Sequence, residues 1–130
     1  MEKDITFDFD ITTDIKEIEF PMPELSRILG IILDNAIEAT NKTKNKYIRL
    51  EMRFDNRKCA DIIKITNTYI SDNPINIEDI YKKGVSSKDV KSGIGLWEVK
   101  KIVKKVYNSQ IYASVDKNKF TQNIIIEKLD

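Results

Sequence analysis

The residues best suited to chemistry lie together on one predicted helix. Asp34, Asn35 and Glu38 interrupt its apolar stripe and stand beside small residues that leave room for a ligand. Asn35 and Glu38 share a face, because residues three apart are neighbours on an α-helix. Amide and carboxylate oxygens suit Mg²⁺, which takes few protein ligands and fills its shell with waters and phosphates. The pattern favours a magnesium site, and it is also typical of the solvated face of an amphipathic helix.

A second group is the segment Ser92-Gly93-Ile94-Gly95-Leu96, which we expect to open the last helix. Glycines at a helix N-terminus expose backbone N–H groups where the dipole favours anions, and they permit close approach of a ligand. The segment lacks the ending of a Walker A loop, and it does not follow a strand as a Rossmann glycine motif does. It therefore predicts a phosphate-binding turn, although such glycines also occur in plain turns.

Composition excludes several kinds of chemistry. The chain has 130 residues, no histidine and one cysteine, which excludes Ser-His-Asp and Cys-His pairs, histidine-ligated metals and internal disulfides. With 22 basic and 21 acidic residues, no net field favours nucleic acid. No apolar run approaches the roughly 18 residues that a membrane span needs. We expect one cytoplasmic domain over residues 1–130, neither bound to nucleic acid nor embedded in a membrane.

The elements that must position these residues follow from periodicity. Alternating apolar and polar residues predict strands, and a weaker extended piece is expected at Ile15–Phe20. The predicted strands are Ile5–Ile11, Ile48–Phe54, Ile62–Thr66, Ile111–Val115 and Phe120–Glu127, the second and third forming a hairpin.

Two helices are predicted, the first from Glu24 to about Thr40 and the second from Gly95 onward. The buried stripe of the first is Leu25, Ile28, Leu29, Ile32, Ala36 and Ile37. In the second helix we expect Trp97 to pack against the sheet. The mixed order of elements, neither purely alternating strands and helices nor all strands, predicts a two-layer α/β (α+β) sandwich.

The polar segment from Asn67 to Ser92 has no clear periodicity, apart from one helical turn expected at Glu78–Lys82. A stretch of that length in a small domain is typical of a functional loop or a lid.

An asparagine-bearing helix, a strand pair, a long loop and a glycine-led helix follow one another in this chain. That order resembles the Bergerat-type nucleotide-binding domain of gyrase, the large heat-shock chaperone, mismatch-repair ATPases and sensor histidine kinases. Leu33-Asp34-Asn35-Ala36-Ile37-Glu38-Ala39 looks like the asparagine box of that superfamily. Gly93-Ile94-Gly95-Leu96, followed by Val99-Lys100, looks like its second glycine box. The resemblance spans essentially the whole chain and is closest to accessory-gene-regulator quorum-sensing kinases.

The resemblance implies a mixed, mostly antiparallel sheet with its helices packed on one face. It also implies that the ligand is ATP with Mg²⁺. It places the metal on Asn35 and the phosphates on the glycine box formed by Ser92, Gly93, Ile94, Gly95 and Leu96. Glu38 could orient a metal-bound water, or be a plain surface residue.

Two further positions are weighed against ordinary structural roles. Asn67 stands where the family has an acidic residue that accepts from the adenine amino group, and it would also suit a turn cap at a strand end. Lys88, beside Ser86 and Ser87, could meet the β- and γ-phosphates or lie solvated at the surface.

Departures from the family pattern bear on the activity. Thr68-Tyr69 follows Asn67, so the first glycine box is missing. Ile31 occupies the position of the glutamate that activates water in hydrolysing relatives, which favours phosphoryl transfer over hydrolysis. Lys91 stands where the first glycine of the second box is common.

The resemblance implies the catalytic domain of a sensor histidine kinase in a two-component, quorum-sensing system. The γ-phosphoryl group would pass to a histidine on the dimerisation domain of the same homodimeric kinase, and then to a response regulator. This domain would be the cytoplasmic part of a longer membrane receptor, with no catalytic group of its own beyond the nucleotide site. The alternatives are a stand-alone serine kinase of the anti-sigma-factor type and a degenerate interaction module without catalysis.

Overall fold

Over its described residues, the computed structural model has a five-stranded mixed sheet with two α-helices on one face. The structure describes residues 4–70, 77, 80–82 and 90–129, with the side chains of the last range described from residue 95. The elements are β1 (Thr6–Ile11), α1 (Met22–Thr40), β2 (Tyr47–Asp55), β3 (Ala60–Thr68), α2 (Val90–Lys104), β4 (Ser109–Asp116) and β5 (Lys119–Glu127). The predicted fold class is confirmed.

The strands lie in the order β1-β2-β3-β5-β4. β1 runs parallel to β2, and every other neighbouring pair is antiparallel. Ile63 in the central strand β3 lies opposite Met52 on β2 and Ile124 on β5, so one face of the sheet is continuously apolar. The predicted β2–β3 hairpin is confirmed, and the Asp55 carboxylate supports its turn by accepting from the backbone N–H groups of Arg57 and Lys58.

The core lies between this apolar face and the two helices. Leu25, Ile28, Ile32 and Ala36 are buried along α1, as the helical periodicity predicts, whereas Leu29 and Ile37 are only partly buried. Val99 and Val103 are buried in the part of α2 whose side chains are described. None of the helices in the described part of the chain is long and apolar enough to cross a membrane.

The structure corrects the expected local structure before α1. A 3₁₀ helix, Ile15–Glu17, replaces the weak extended piece predicted over Ile15–Phe20. The Asp14 side chain accepts a hydrogen bond of 2.9 Å from the backbone N–H of Lys16, and this cap stabilises a helical turn.

The start of α2 was also predicted incorrectly. This helix begins at Val90 instead of Gly95, so Gly93 and Gly95 both lie inside its first two turns. Each glycine lowers helix propensity by only about 1 kcal/mol relative to alanine, an amount that packing against α1 can offset.

Trp97 does not pack into the sheet as expected. It lies half-buried on α2, beside Lys101, and belongs to neither hydrophobic cluster of the described residues.

Candidate functional site

The two sequence segments predicted to bind a ligand meet where α1 crosses α2. A Cβ atom added to Gly95 would lie 3.3 Å from Ile31 Cγ2 and 3.7 Å from Asn35 Nδ2. The helices can therefore approach this closely beside Asn35 because residue 95 has no side chain. Asn35 and Gly95, far apart in sequence, are neighbours in the structure.

The Asn35 side chain is half-buried and oriented by its own helix. Its Nδ2 donates a hydrogen bond of 2.9 Å to the carbonyl oxygen of Ile31, one turn earlier. Because the amide nitrogen is engaged in this way, the Oδ1 oxygen is the atom that Asn35 offers to a ligand. Asp34, its neighbour in the chain, is exposed on another face of α1.

Glu38 lies one turn after Asn35 on the same helix and is half-buried. Among the described residues, no three cysteine or acidic side chains cluster in a way that could hold a metal by themselves. A divalent cation at this site would therefore depend on the oxygens of Asn35 and Glu38 together with oxygens brought by the ligand, which is the ordinary situation for Mg²⁺ bound to phosphates.

An apolar cluster adjoins Asn35 and Gly95. Its buried members are Tyr69, Ile80, Ala113 and Phe120. Ala39, one turn after Asn35, and Leu96, next to Gly95, pack against it. A flat apolar group such as a nucleotide base is the kind of ligand that aromatic and aliphatic side chains of this sort accept. The structure thus brings apolar surface, a metal-compatible amide and a close helix crossing into one region.

Two buried amides stand on the helix-facing side of the sheet near this cluster. Asn67, which is 4% exposed, is the penultimate residue of β3, so it lies at a strand end as expected. Its Nδ2 donates to the carbonyl oxygen of Thr68 at 3.0 Å. Gln122, which is 3% exposed, lies on β5 opposite Ile65.

Gln122 was not recognised from the sequence, although a signal was present. Phe120, Gln122, Ile124 and Ile126 alternate along β5 and are all buried, so a polar residue interrupts an inward-facing row. Its Oε1 accepts a hydrogen bond of 3.1 Å from the hydroxyl of Tyr81. Burial raises the pKa of Tyr81, so its hydroxyl keeps the proton that it donates.

The structure describes only some of the remaining predicted site residues. Ser92, Gly93 and Ile94 form part of the first turns of α2, and their side chains lie outside the described residues. Lys88, with Ser86 and Ser87, lies outside the described residues altogether, as do Glu78 and Asp79 of the helical turn predicted at Glu78–Lys82, whose other three residues form a turn and a bend. Leu96 packs against the apolar cluster, as stated above.

Comparisons with known proteins agree with this fold. The profile of the GHKL domain family matches residues 21–127. No curated protein sequence matches this chain. Among solved structures, the nucleotide-free catalytic domain of histidine kinase ThkA is similar with a TM-score of 0.76 and 22% identity, over 94% of this chain and 79% of that one.

Two larger histidine kinases show the same likeness. AdeS of Acinetobacter baumannii has a TM-score of 0.72 at 18% identity, over 97% of this chain and 55% of its own. ThkA in complex with the response regulator protein TrrA has a TM-score of 0.76 at 18% identity, over 96% of this chain and 34% of that one. This chain therefore spans about half of AdeS. At such identities the likeness establishes a shared fold, and the family profile covers most of the chain. This protein belongs to the GHKL domain family and has the fold of histidine kinase catalytic domains.

Proposed function

We propose that this chain binds ATP with Mg²⁺ and is the catalytic domain of a two-component histidine kinase. The observation that carries the proposal is the contact between Asn35 and Gly95, which joins the metal-compatible amide to the glycine segment beside an apolar cluster. Membership of the GHKL family and the fold shared with histidine kinases support the same function.

The residues present fit such a ligand. Asn35 Oδ1 would hold the metal, and Glu38 would orient water bound to it. The apolar cluster around Tyr69 and Phe120 would hold the base. Asn67 uses its Nδ2 for Thr68, which leaves its Oδ1 as the acceptor for an exocyclic amino group.

The phosphates are assigned to the glycine segment. Ser92 lies in the first turn of α2, where the backbone N–H groups of a helix are without helical acceptors and favour an anion, and Gly93 follows it without a side chain to block the approach of a ligand. Ile94, Gly95 and Leu96 continue this turn towards α1. Lys88 belongs to the proposal as a cation that offsets phosphate charge.

ATP supplies the γ-phosphoryl group, and this chain binds and orients it. The chain contains no histidine, so a phosphohistidine must form on another domain. Ile31, where a glutamate would activate water, presents only hydrocarbon, which favours transfer over hydrolysis. Catalysis here is positioning and charge stabilisation, as is general for phosphoryl transfer.

The wider setting follows from the same proposal. The acceptor histidine would lie on the dimerisation domain of the same homodimeric kinase, and a response regulator would receive the group next, as the complex of ThkA with TrrA suggests by analogy. The parent protein would be a membrane receptor of the quorum-sensing type, with this domain in the cytoplasm. Neither nucleic acid nor lipid is a proposed ligand of the domain.

Asn35→Ala tests the nucleotide site. A ligand at 100 times its Kd adds about 2.7 kcal/mol to the free energy of unfolding, which raises Tm by several degrees for a domain of this size. We expect ADP with Mg²⁺ to raise the Tm of the wild type in this way, and to do so much less for Asn35→Ala. The shift should also depend on Mg²⁺.

Asp34→Ala is the matched control, because Asp34 is the exposed neighbour on the same helix. It should respond to nucleotide like the wild type. An equal shift in Asn35→Ala, or no shift of the wild type at millimolar nucleotide, would remove the support for this site and favour a degenerate interaction module.

The acceptor is tested separately in the full-length parent protein with radiolabelled ATP. A phosphoramidate on histidine is labile in acid, whereas a phosphate ester on serine is stable there. Acid-labile label supports the histidine kinase, and acid-stable label would identify a serine kinase instead.

A further inference from the structure

An open groove of about 380 Å³ runs along α2 and is strongly basic. Its walls come from α2 and from residues 81 and 82, which precede that helix in the chain. The lining residues are Tyr81, Lys82, Trp97, Lys100, Lys101 and Lys104. Among the described residues, the lining thus combines lysines with two aromatic rings and includes no acidic side chain.

The lysine-bearing face of α2 points away from Asn35 and Gly95, whereas Tyr81, on the other wall of the groove, packs against the apolar cluster. Trp97, Lys101 and Lys104 are separated by four and three residues and therefore share one face of the helix. Gly95 contacts α1 from the opposite face, about 200° around the helix axis from Trp97 at 100° per residue. Whatever occupies the groove would not compete for Asn35.

The aromatic rings hold two of the lysine side chains in place. The Nζ atom of Lys101 lies 5.1 Å from the centre of the Trp97 ring, and that of Lys100 lies 5.6 Å from the centre of the Tyr81 ring. Lys100 also reaches the carbonyl oxygen of Ile111 on β4 at 3.5 Å. Cation–π contacts of this kind orient an ammonium group without cancelling its charge.

Lys100, Lys101 and Lys104 form no close ion pair within the described part of the chain. The pKa of Glu98 is lowered mainly by its hydrogen bond from Arg27, and the attraction between Lys101 and Glu98 is a minor contribution. Glu98, the acidic residue of α2 nearest to them in sequence, pairs instead with Arg27 on α1. Since the whole chain carries a net charge of only +1, the charge of the groove is a local concentration.

We propose that this groove docks an acidic segment of a partner protein. Trp97 and Lys104 are seven residues apart, which is about 10 Å along a helix, and a short peptide with several carboxylates matches that length. A nucleic-acid surface would need cations that follow a longer phosphate backbone, and arginine, the residue best matched to phosphate, is missing from the lining.

The chain carries its own reporter for this proposal. Trp97 is its only tryptophan, so its fluorescence reports directly on the groove. We would titrate the protein with a hexaglutamate peptide and follow that fluorescence. A saturable change that weakens as NaCl is raised is expected, because exposed charges are screened by salt.

A double variant, Lys101→Gln with Lys104→Gln, should weaken hexaglutamate binding at least tenfold. Lys42→Gln with Lys44→Gln is the matched control, since it removes the same charge from exposed positions after α1, and it should bind like the wild type. Asn35→Ala should also keep its affinity, which separates the groove from the nucleotide site. A thermal melt checks that each variant is folded, and Lys104→Gln alone serves if the double variant is not.

Three outcomes would overturn the proposal. Fluorescence that does not respond to the peptide would show that the groove binds no acidic segment. If both double lysine variants bound the peptide equally weakly, the peptide would be attracted only by the overall charge of the protein. Tighter binding of a single-stranded oligonucleotide or of vesicles containing an anionic lipid would identify another class of partner.

Discussion

The two described glycines inside helices, Gly30 and Gly95, have opposite surroundings. A Cβ atom at Gly30, on the exposed side of α1, would have no neighbour within 4 Å. At Gly95 it would come within 3.3 Å of Ile31 Cγ2, closer than ordinary van der Waals contact. Glycine at position 30 therefore lowers helix stability and permits no close contact. At position 95 it permits the contact between α1 and α2.

This contrast predicts different effects of the same substitution. Gly30→Ala should raise the free energy of unfolding by about 1 kcal/mol, because alanine favours a helix more than glycine. Gly95→Ala should stabilise less or destabilise, since the strain of overpacking opposes that gain. Urea denaturation measures both. An equal gain at the two positions would show that the helices are not closely packed at Gly95.

At the residue scale, side-chain type and spacing identified candidate site residues where the residue type is unusual for its position. Asn35 and Gly95 could be selected from the sequence because an amide within an apolar stripe and a glycine near a helix start are unusual there. The contact between these two residues could not be predicted from the sequence, because it depends on how α1 and α2 cross. Gln122 was missed since a single polar residue in a strand resembles the outward half of an alternating pattern.

The Tyr81 hydroxyl connects residues 80–82 to the sheet by donating a hydrogen bond to the buried Gln122 on β5. The raised pKa of Tyr81 gives this connection a dependence on pH. The unfolded chain releases the tyrosine proton near pH 10, while the folded state retains it. The unfolded state then binds fewer protons, so stability must fall as pH rises above about 10.

Tyr81→Phe should remove the part of the loss of folding stability at alkaline pH that comes from Tyr81. Above pH 10 the difference in unfolding free energy between wild type and Tyr81→Phe should shrink by about 1.4 kcal/mol per pH unit. Denaturation at a series of pH values measures this. Tyr107→Phe, at a position that is 86% exposed, is the matched control. Parallel profiles for wild type and Tyr81→Phe would contradict a buried, protonated Tyr81.

At the scale of elements, periodicity predicted the types and centres of the strands and of both helices. The ends were less predictable, because they are set by tertiary packing and by local caps. α2 extends through Gly93, against its propensity, and β3 runs past Asn67 because it pairs with β5 as far as Thr68. The 3₁₀ turn depends on one cap by Asp14, a signal too local for a hydrophobic pattern to show.

A buried ion pair connects the C-terminal end of the chain to the sheet. Asp61 on β3 is 1% exposed, and its Oδ2 lies 3.0 Å from Lys128 Nζ. Neither carboxylate oxygen has a hydrogen-bond partner among the described residues, so the charge of Lys128 is the main compensation for this burial. The backbone N–H of Lys128 also donates to the carbonyl oxygen of Cys59 at 2.9 Å.

Lys128→Met should lower the free energy of unfolding by about 3 kcal/mol, because it leaves a buried carboxylate without a counter-charge. Adding Asp61→Leu should recover most of the loss, since an apolar pair of similar volume avoids the cost of burying charge. Urea denaturation measures the free energy of unfolding of the wild type, the single variant and the double variant. Lys105→Met, at an exposed position, is the control. A double variant as unstable as Lys128→Met would contradict this account.

At the scale of the whole molecule, the order of elements was enough to predict the fold, and the family profile agrees with it. The chain shares only 22% identity with the ThkA catalytic domain at a TM-score of 0.76. Many different apolar residues can fill the same core, so a fold persists while most side chains change. A basic groove is not fixed by that core, and although the spacing of Trp97, Lys101 and Lys104 can be read in the sequence, the contribution of Tyr81 depends on the tertiary structure.

The position of β1 has a consequence for how the domain opens. β1 is held by a single neighbour, β2, and Phe7, Phe9 and Ile11 on its outer part are each at least 45% exposed. Its detachment would uncover little apolar surface, so its amide protons should exchange with solvent through local fluctuation. The amides of the central strand β3 should exchange only when the domain unfolds as a whole. The edge strand β1 should thus open more easily than the central strand β3, and Asn67 of the proposed nucleotide site lies on that central strand.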